Sequence, residues 1–266
     1  MTFRCLWLTV ALLAPACGFT APGSGDDGVD PVDPADPGAP TVPTARWCPT
    51  SDSHLKLCVD FDDQVGLTGD GSSRHHTVVS SGLTVMDREG EQAALMSDAS
   101  QLTVAETTDL DITSALTVAM FVRPAHVPAF GQAFWALDNN KQYAISYQDT
   151  TKFRCGLGTK TVDSALWFAP DHWHHVACTF DLSTEMLKIY VDGYVAGCRQ
   201  VSNPIATDGH EGLAIGANVN AGPSFTEKFV GGIDNVAVFD RTLTSAELCT
   251  AAGGGPCTSA CPFIAD

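Results

Sequence analysis

The sequence predicts an all-β protein, two antiparallel sheets packed as a sandwich, with one short helix near the C-terminus. Three observations carry this. From Leu55 to Phe239, short runs that alternate apolar and polar side chains recur every 8–15 residues, separated by Gly, Asp, Asn or Pro, which is the spacing of a sandwich. The stretch 171–193, DHWHHVACTFDLSTEMLKIYVDG, reads as two alternating strands joined by a polar turn and closed by Asp192-Gly193, a two-residue hairpin signal. Helical signal is confined to Thr244–Leu248, where Thr244 and Glu247 stand at the spacing of a capping box.

Taken in order, Leu55–Phe61 opens the body, and Leu83–Met86, Ala94–Met96 and Gln101–Ala105 follow as short strands. Residues 114–124, SALTVAMFVRP, are the cleanest alternation in the chain. Gln132–Leu137, Tyr143–Tyr147 and Lys152–Leu157 precede the pair in 171–193. Tyr194–Gln200, Gly212–Gly216 and Val230–Phe239 complete the set, and Asn218–Pro223 reads as a loop at a rim of the sandwich. A body of roughly 200 residues buries a sizeable core as one domain.

The N-terminus reads as an export signal. Leu6–Leu13 is apolar but shorter than the roughly 20 residues a membrane helix needs. Ala14-Pro15-Ala16 before Cys17 fits an A-x-A cleavage site, and it also resembles a bacterial lipobox, with Leu13 four positions before the cysteine where three is usual. The acidic, Gly- and Pro-rich run that follows, without a basic residue through Ala45, has too little apolar content to fold and stays extended. The expected organisation is a signal peptide (1–16), lipidated Cys17 with a disordered tether (17–46), the β domain (47–252) and a cysteine-containing tail (253–266). The alternative is secretion without an anchor.

Ten cysteines favour an oxidising compartment. Removal of Cys5 and lipidation of Cys17 leave eight. Cys48 and Cys58 bracket a short loop into the first strand and are expected to pair; Cys155 and Cys178 are expected to pair as neighbours in the sheet. Cys198, Cys249, Cys257 and Cys261 tie the tail to the body, with their pairing open. The net charge of −17, with 14 Lys and Arg in no run, excludes a nucleic-acid partner, whose phosphates are met by clustered basic residues. It also disfavours anionic lipid surfaces and leaves membrane attachment to the lipid anchor.

Within the body, W-H-H-V-A-x-T-F-D followed by L-x-I-Y-V-D-G in residues 173–193 resembles the core of the LamG-like jellyroll domains of the concanavalin A-like superfamily. Leu57–Asp62, Asp70–Ser72, Leu116–Pro124 (with Phe121 where Trp is usual), Leu213–Gly216, Phe229–Val236 and Arg241–Leu248 match further family stretches in the right order. The resemblance covers about 190 residues and implies a concanavalin A-like jellyroll. It also implies that the first and last strands lie together, so that Asp70 and Asp234 could share a structural Ca²⁺ with carbonyls of the turn from Gly71 to His75. The alternative is that Asp234 caps a turn.

The fold alone does not define the activity. Glu106, Asp109 and Asp111 lack the order and strand context of the E-x-D-x-x-E glucanase strand. No G-x-S-x-G elbow occurs, and His210-Glu211 lacks the second His of a zinc protease helix. On adjacent strand positions, His174 and His175 face opposite ways and cannot chelate one ion. The expectation is a non-enzymatic surface module that binds a carbohydrate or a cell-surface protein, with Trp135, Tyr147, Trp167 and Phe225 as stacking candidates and Asn139 and Asn218 as polar partners. The competing expectation is a structural envelope lipoprotein without a dedicated ligand. A glycoside hydrolase, the weaker rival, requires two carboxylates across one concave face.

Overall fold

The computed structural model describes residues 49, 51–62, 69–140, 142–202, 205, 212–219, 225–255 and 257–262, without the side chains of Phe225 and Thr226. The signal, Cys17, the tether and Cys48 lie outside them, as do His210, Glu211 and the 220–223 part of the rim loop.

The chain forms β1 (Leu55–Val59), β2 (Val78–Ser81), β3 (Thr84–Arg88), β4 (Glu91–Met96), β5 (Gln101–Val104) and β6 (Ala115–Pro124). β7 (Ala133–Asn139), β8 (Tyr143–Gln148), β9 (Phe153–Leu157), β10 (Lys160–Asp163), β11 (His174–Asp181), β12 (Met186–Val191) and β13 (Tyr194–Gln200) follow. β14 (Leu213–Ile215), β15 (Asn218–Val219), β16 (Phe225–Thr226), β17 (Gly231–Phe239) and helix α1 (Ser245–Ala251) complete the order. An eight-stranded antiparallel sheet runs β13-β12-β11-β6-β17-β4-β3 with β1 also on β17, and a seven-stranded sheet runs β10-β9-β8-β7-β14-β5-β2. β15 and β16 form a separate two-stranded ribbon. This is the expected jellyroll sandwich. Among the described residues no helix is long and apolar enough to cross a membrane.

Alternation decides the layers. In β6, Leu116, Val118, Met120 and Val122 face the core, where they meet Val176, Cys178 and Phe180 of β11 and Ile145 and Tyr147 of β8. The intervening Ala119 and Ala177 join Tyr190, Phe239, Leu243 and Leu248 in a second apolar cluster on the outer face of the eight-stranded sheet. α1 brings Leu248 to that cluster. Its capping box forms as expected: Thr244 Oγ1 accepts from the Glu247 N–H (3.2 Å), and Glu247 Oε2 accepts from the Thr244 N–H (2.7 Å).

The Asp192-Gly193 turn has φ of 51° and 80°, the two positive values that a tight hairpin between β12 and β13 requires. A Cβ on Gly193 would lie 2.6 Å from Cys257 Sγ, so glycine also admits the tail. Cys155 pairs with Cys178 as expected, but the two stand on different sheets, on β9 and β11, and the bridge crosses the core rather than joining neighbours in one sheet; Cys198 pairs with Cys261 and Cys249 with Cys257. Cys58 is disulfide-bonded as well. The three described bridges suit an oxidising, extracytoplasmic compartment.

Four short strands escape the sequence pattern. β2 is Val-Val-Ser-Ser at a sheet edge, and β10 buries only Val162. β15 and β16 are two-residue ladders, one of them inside the stretch expected to be a loop. Too few side chains repeat in any of these for a period to register.

Candidate functional site

The outer face of the seven-stranded sheet carries a groove of about 260 Å³, bordered by Trp135, Ser146, Arg154, Thr161 and Asn218. Phe153 and Cys155 of β9 point into the core, so Arg154 between them points out. It stands opposite Asp163 of β10 and is held by two parallel bonds, Nε to Oδ1 at 2.6 Å and Nη2 to Oδ2 at 2.8 Å. That pairing raises the guanidinium's pKa, so it stays charged. Ala144 and Gly156 give the floor small side chains.

Trp135 stands at one border. Its indole Nε1 donates to Glu227 Oε2 at 2.9 Å, and Asn218 Nδ2 donates to the same oxygen at 3.0 Å. The ring is thereby fixed at the groove edge by a residue 92 positions away. Asp138 Oδ2 accepts from the Val219 N–H at 2.8 Å and pins β15 to β7. A partly exposed, oriented indole beside a charged pair, an amide and a hydroxyl is the kind of surface on which a sugar ring stacks and hydrogen-bonds.

Of the stacking and amide candidates named from sequence, the structure brings Trp135 and Asn218 together. Tyr147 is a correction: it is fully buried and its hydroxyl donates to the Phe168 carbonyl at 2.8 Å. Asn139 is another, 2% exposed, with its amide donating to the Leu110 carbonyl and to Gln142 Oε1. Neither presents a surface to a ligand. Trp167 is 76% exposed on the loop between β10 and β11 and does not line the groove. Phe225 places its backbone in β16, and its side chain lies outside the described residues. Arg154, Asp163 and Glu227 were not singled out by sequence. The parity of β9 carries a signal for Arg154; Glu227 has none, because only the fold brings it to Trp135.

The expected calcium pair does not fit a shared ion. Asp70 spends its carboxylate on four donors, the N–H groups of Cys58, Ser72 and His76 and the Ser72 hydroxyl, at 2.8–2.9 Å. It thus fastens the loop to β1. Asp234 lies on the outer face of the eight-stranded sheet against the Arg88 guanidinium, and both side chains are 1% exposed. Burial pushes the Asp234 carboxyl up to about 7, with Arg88 pulling it back. Arg88 also lies 4.3 Å over the Phe121 ring and reaches Glu91 Oε2 at 3.0 Å. An internal cation therefore serves Asp234. Among the described residues no group of three or more His, Cys, Asp or Glu side chains is placed to hold a metal ion.

A second cleft of about 380 Å³ lies beside this ion pair, bordered by Phe121, Arg123, Asp171, Trp173 and Asp192. Its polar groups serve one another. Arg123 Nη2 bonds Asp171 at 2.7 Å, and His174 Nδ1 meets Asp192 at 2.8 Å. A Cβ on Gly232 would stand 2.5 Å from Trp173, so that glycine seats the indole. His174 and His175 do face opposite ways. The first meets Phe153 and Phe168 edge to face, and the second is buried against Phe121, where desolvation lowers its pKa to about 4 and keeps it neutral.

A two-sheet antiparallel sandwich whose C-terminal segment packs on the outer face of one sheet, with a groove on the outer face of the other, is the class this chain defines. Residues 96–249 match the Laminin_G_3 family, described as concanavalin A-like lectin/glucanases superfamily, and the chain belongs to it. No curated protein matches the chain. Among solved structures, the binding domain of Paraclostridial Mosquitocidal Protein 1 aligns at TM-score 0.62 and 14% identity, over 75% of this chain and 52% of that one. Domain 4 of AbnA, a GH43 extracellular arabinanase from Geobacillus stearothermophilus in complex with arabinotriose, aligns at 0.54 and 18% over 74% and 98%. A botulinum neurotoxin type C structure, whose cell entry depends on interaction with two ganglioside molecules, aligns at 0.58 and 12% over 75% and 51%. The chain thus spans about half the length of the toxin chains, and at these identities the likeness is one of fold.

Proposed function

We propose that this protein is an exported, lipid-anchored, non-catalytic module that binds carbohydrate in the groove of the seven-stranded sheet. The observation that carries the reading is Trp135, a partly exposed indole oriented by Glu227 at the edge of the groove. The ring offers a face to a sugar, and the Arg154–Asp163 pair, Asn218 and the half-buried Thr161 offer donors and acceptors around it. Orientation before binding lowers the entropy cost of association. The arabinotriose complex of the arabinanase domain and the ganglioside dependence of the neurotoxin support a sugar as the ligand class.

A glycosidase reading has less support. Asp138, Asp163 and Glu227 at the groove all accept hydrogen bonds from the protein itself. The carboxyl raised to about 7, as a general acid would be, is Asp234 on the other sheet.

The test is a glycan-array screen of the oxidised protein with calcium and then with chelator. Saturable binding that survives chelation and is lost in Trp135→Ala is the expected outcome. Binding lost in chelator would keep the carbohydrate reading and restore a metal to the site. No binding under either condition would leave the structural envelope role in its place.

A further inference from the structure

Eight large hydrophobic side chains are exposed among the described residues, and four of them sit on two loops: Val127 (37%) and Phe130 (100%) between β6 and β7, and Leu166 (68%) and Trp167 (76%) between β10 and β11. The loops are neighbours. The Gly131 N–H donates to Asp149 Oδ2 at 2.7 Å, and the Phe168 N–H donates to the Thr151 carbonyl at 2.8 Å, so both flank the turn between β8 and β9. Their bases are joined where the Asp171 N–H donates to the Pro124 carbonyl at 2.7 Å. The exposure is built in. The second loop turns Phe168 inward onto Phe153 and His174 while displaying Leu166 and Trp167, and Ser164 Oγ donates to the Leu166 carbonyl at 2.9 Å.

Charge sets these tips apart. In a chain with 31 Asp and Glu, residues 125–132 (AHVPAFGQ) and 164–170 (SALWFAP) contain no Asp, Glu, Lys or Arg. Carboxylates at the margins of the two loops are engaged, Asp149 by the Gly131 N–H, Asp163 by Arg154 and Asp171 by Arg123. Position matters as well. β6 reaches the loop end at Pro124, which pairs with Gly231 at the start of β17, while Leu55 pairs with Phe239 at the far end of β17. The chain therefore enters the sandwich at the end opposite the tips.

We propose that the two loops form a membrane-contact surface that inserts Phe130, Leu166 and Trp167 into the interface of an electrically neutral lipid layer. Protruding apolar side chains on pinned backbones suit a deformable partner that closes around them, and Trp is favoured at the boundary between headgroups and acyl chains. The net charge of −17 repels an anionic surface within a Debye length, which selects zwitterionic lipid.

The test is co-flotation of the oxidised chain, freed of its signal and carrying Cys17→Ser so that no lipid anchor contributes, with phosphatidylcholine vesicles and with phosphatidylserine-containing vesicles. The wild type is expected to float with the neutral vesicles and less with the anionic ones. Phe130→Ser combined with Trp167→Ser, at exposed positions that leave the melting temperature unchanged, is expected to lower the partition coefficient at least about tenfold. Trp135→Ala is expected to float like the wild type, which separates this surface from the glycan groove. No flotation of the wild type, or equal flotation of the double variant, overturns the proposal. So does a dimer in sedimentation equilibrium that the double variant abolishes without any lipid binding, because the patch would then belong to a second copy of the chain.

Discussion

On the outer face of the eight-stranded sheet, Ala119, Ala177, Tyr190 and Phe239 lie in one apolar cluster with Leu243 and Leu248 from the C-terminal segment, and Arg88 and Asp234 are sealed in beside it. On the outer face of the seven-stranded sheet, Ser146, Arg154 and Trp135 border a groove. Both sheets follow the two-residue alternation along most of their strands, and both turn apolar side chains into one shared core. What differs is the cover. The C-terminus covers part of one face, where the Arg88–Asp234 pair is buried beside a cleft; the ion pair at the groove of the other face stays partly solvated, with Arg154 and Asp163 at 39% and 35% exposure. Similar ion pairs thus have different uses, and burial decides which.

The sharpest way to break this comparison is to cut one ion pair on each face. Arg88→Met leaves Asp234 buried without its cation and is expected to cost about 3–5 kcal/mol in urea unfolding, because an uncompensated buried charge is expensive. The next largest effect concerns the cover itself. Cys198→Ser with Cys261→Ser opens a bridge between residues 63 apart, and the lost loop constraint is expected to cost about 4 kcal/mol. Unchanged stability there would mean that the tail holds the face without its staple.

Acid sharpens the same contrast. His175, under the covered face, titrates near 4 when folded against 6.5 when exposed. The unfolded chain then takes up its proton first, and stability falls as pH drops from about 6.5 to about 4, by roughly 3 kcal/mol, with no further loss from this group below that. Glu247 is depressed from 4.5 to about 2, chiefly by its hydrogen bond to Arg241. Its contribution is whole above 4.5 and fades toward 2. Thermal melts of wild type and His175→Leu between pH 7 and pH 2 separate the two, since the variant should lose only the upper phase, between about 6.5 and about 4. The smallest expected effect on stability is on the open face. Arg154→Met should cost below about 1 kcal/mol while weakening glycan binding, and a large stability loss there would erase the distinction between the faces.

The fold was legible because its information is local. Val176, Cys178 and Phe180 announce their strand by parity, and Asp192-Gly193 announces the turn that follows. The site was legible only where parity sufficed. Tyr143, Ile145 and Tyr147 share one face, so Tyr147 belongs to the core by the same rule that places Arg154 outside it. Trp135 sits at a register shift in β7, where parity fails. Its partner Glu227 comes from a distant segment, and no pattern in either stretch foretells their contact. Which face stays open depends on where α1 packs, a tertiary choice made by Leu243 and Leu248. The Arg88–Asp234 pair was hidden in the same way: a carboxylate on a strand reads as a metal ligand until the guanidinium 146 residues away is seen against it.

The most direct test of the central claim is an NMR titration of the protein with the best ligand from the glycan screen, following the tryptophan indole N–H signals. The account predicts that the Trp135 signal and the amides of β8, β9 and β10 shift on binding, while Trp173 and the amides around Phe121 stay still. Shifts confined to Trp173 and its neighbours, with Trp135 unmoved, would place the ligand on the other sheet and contradict the account.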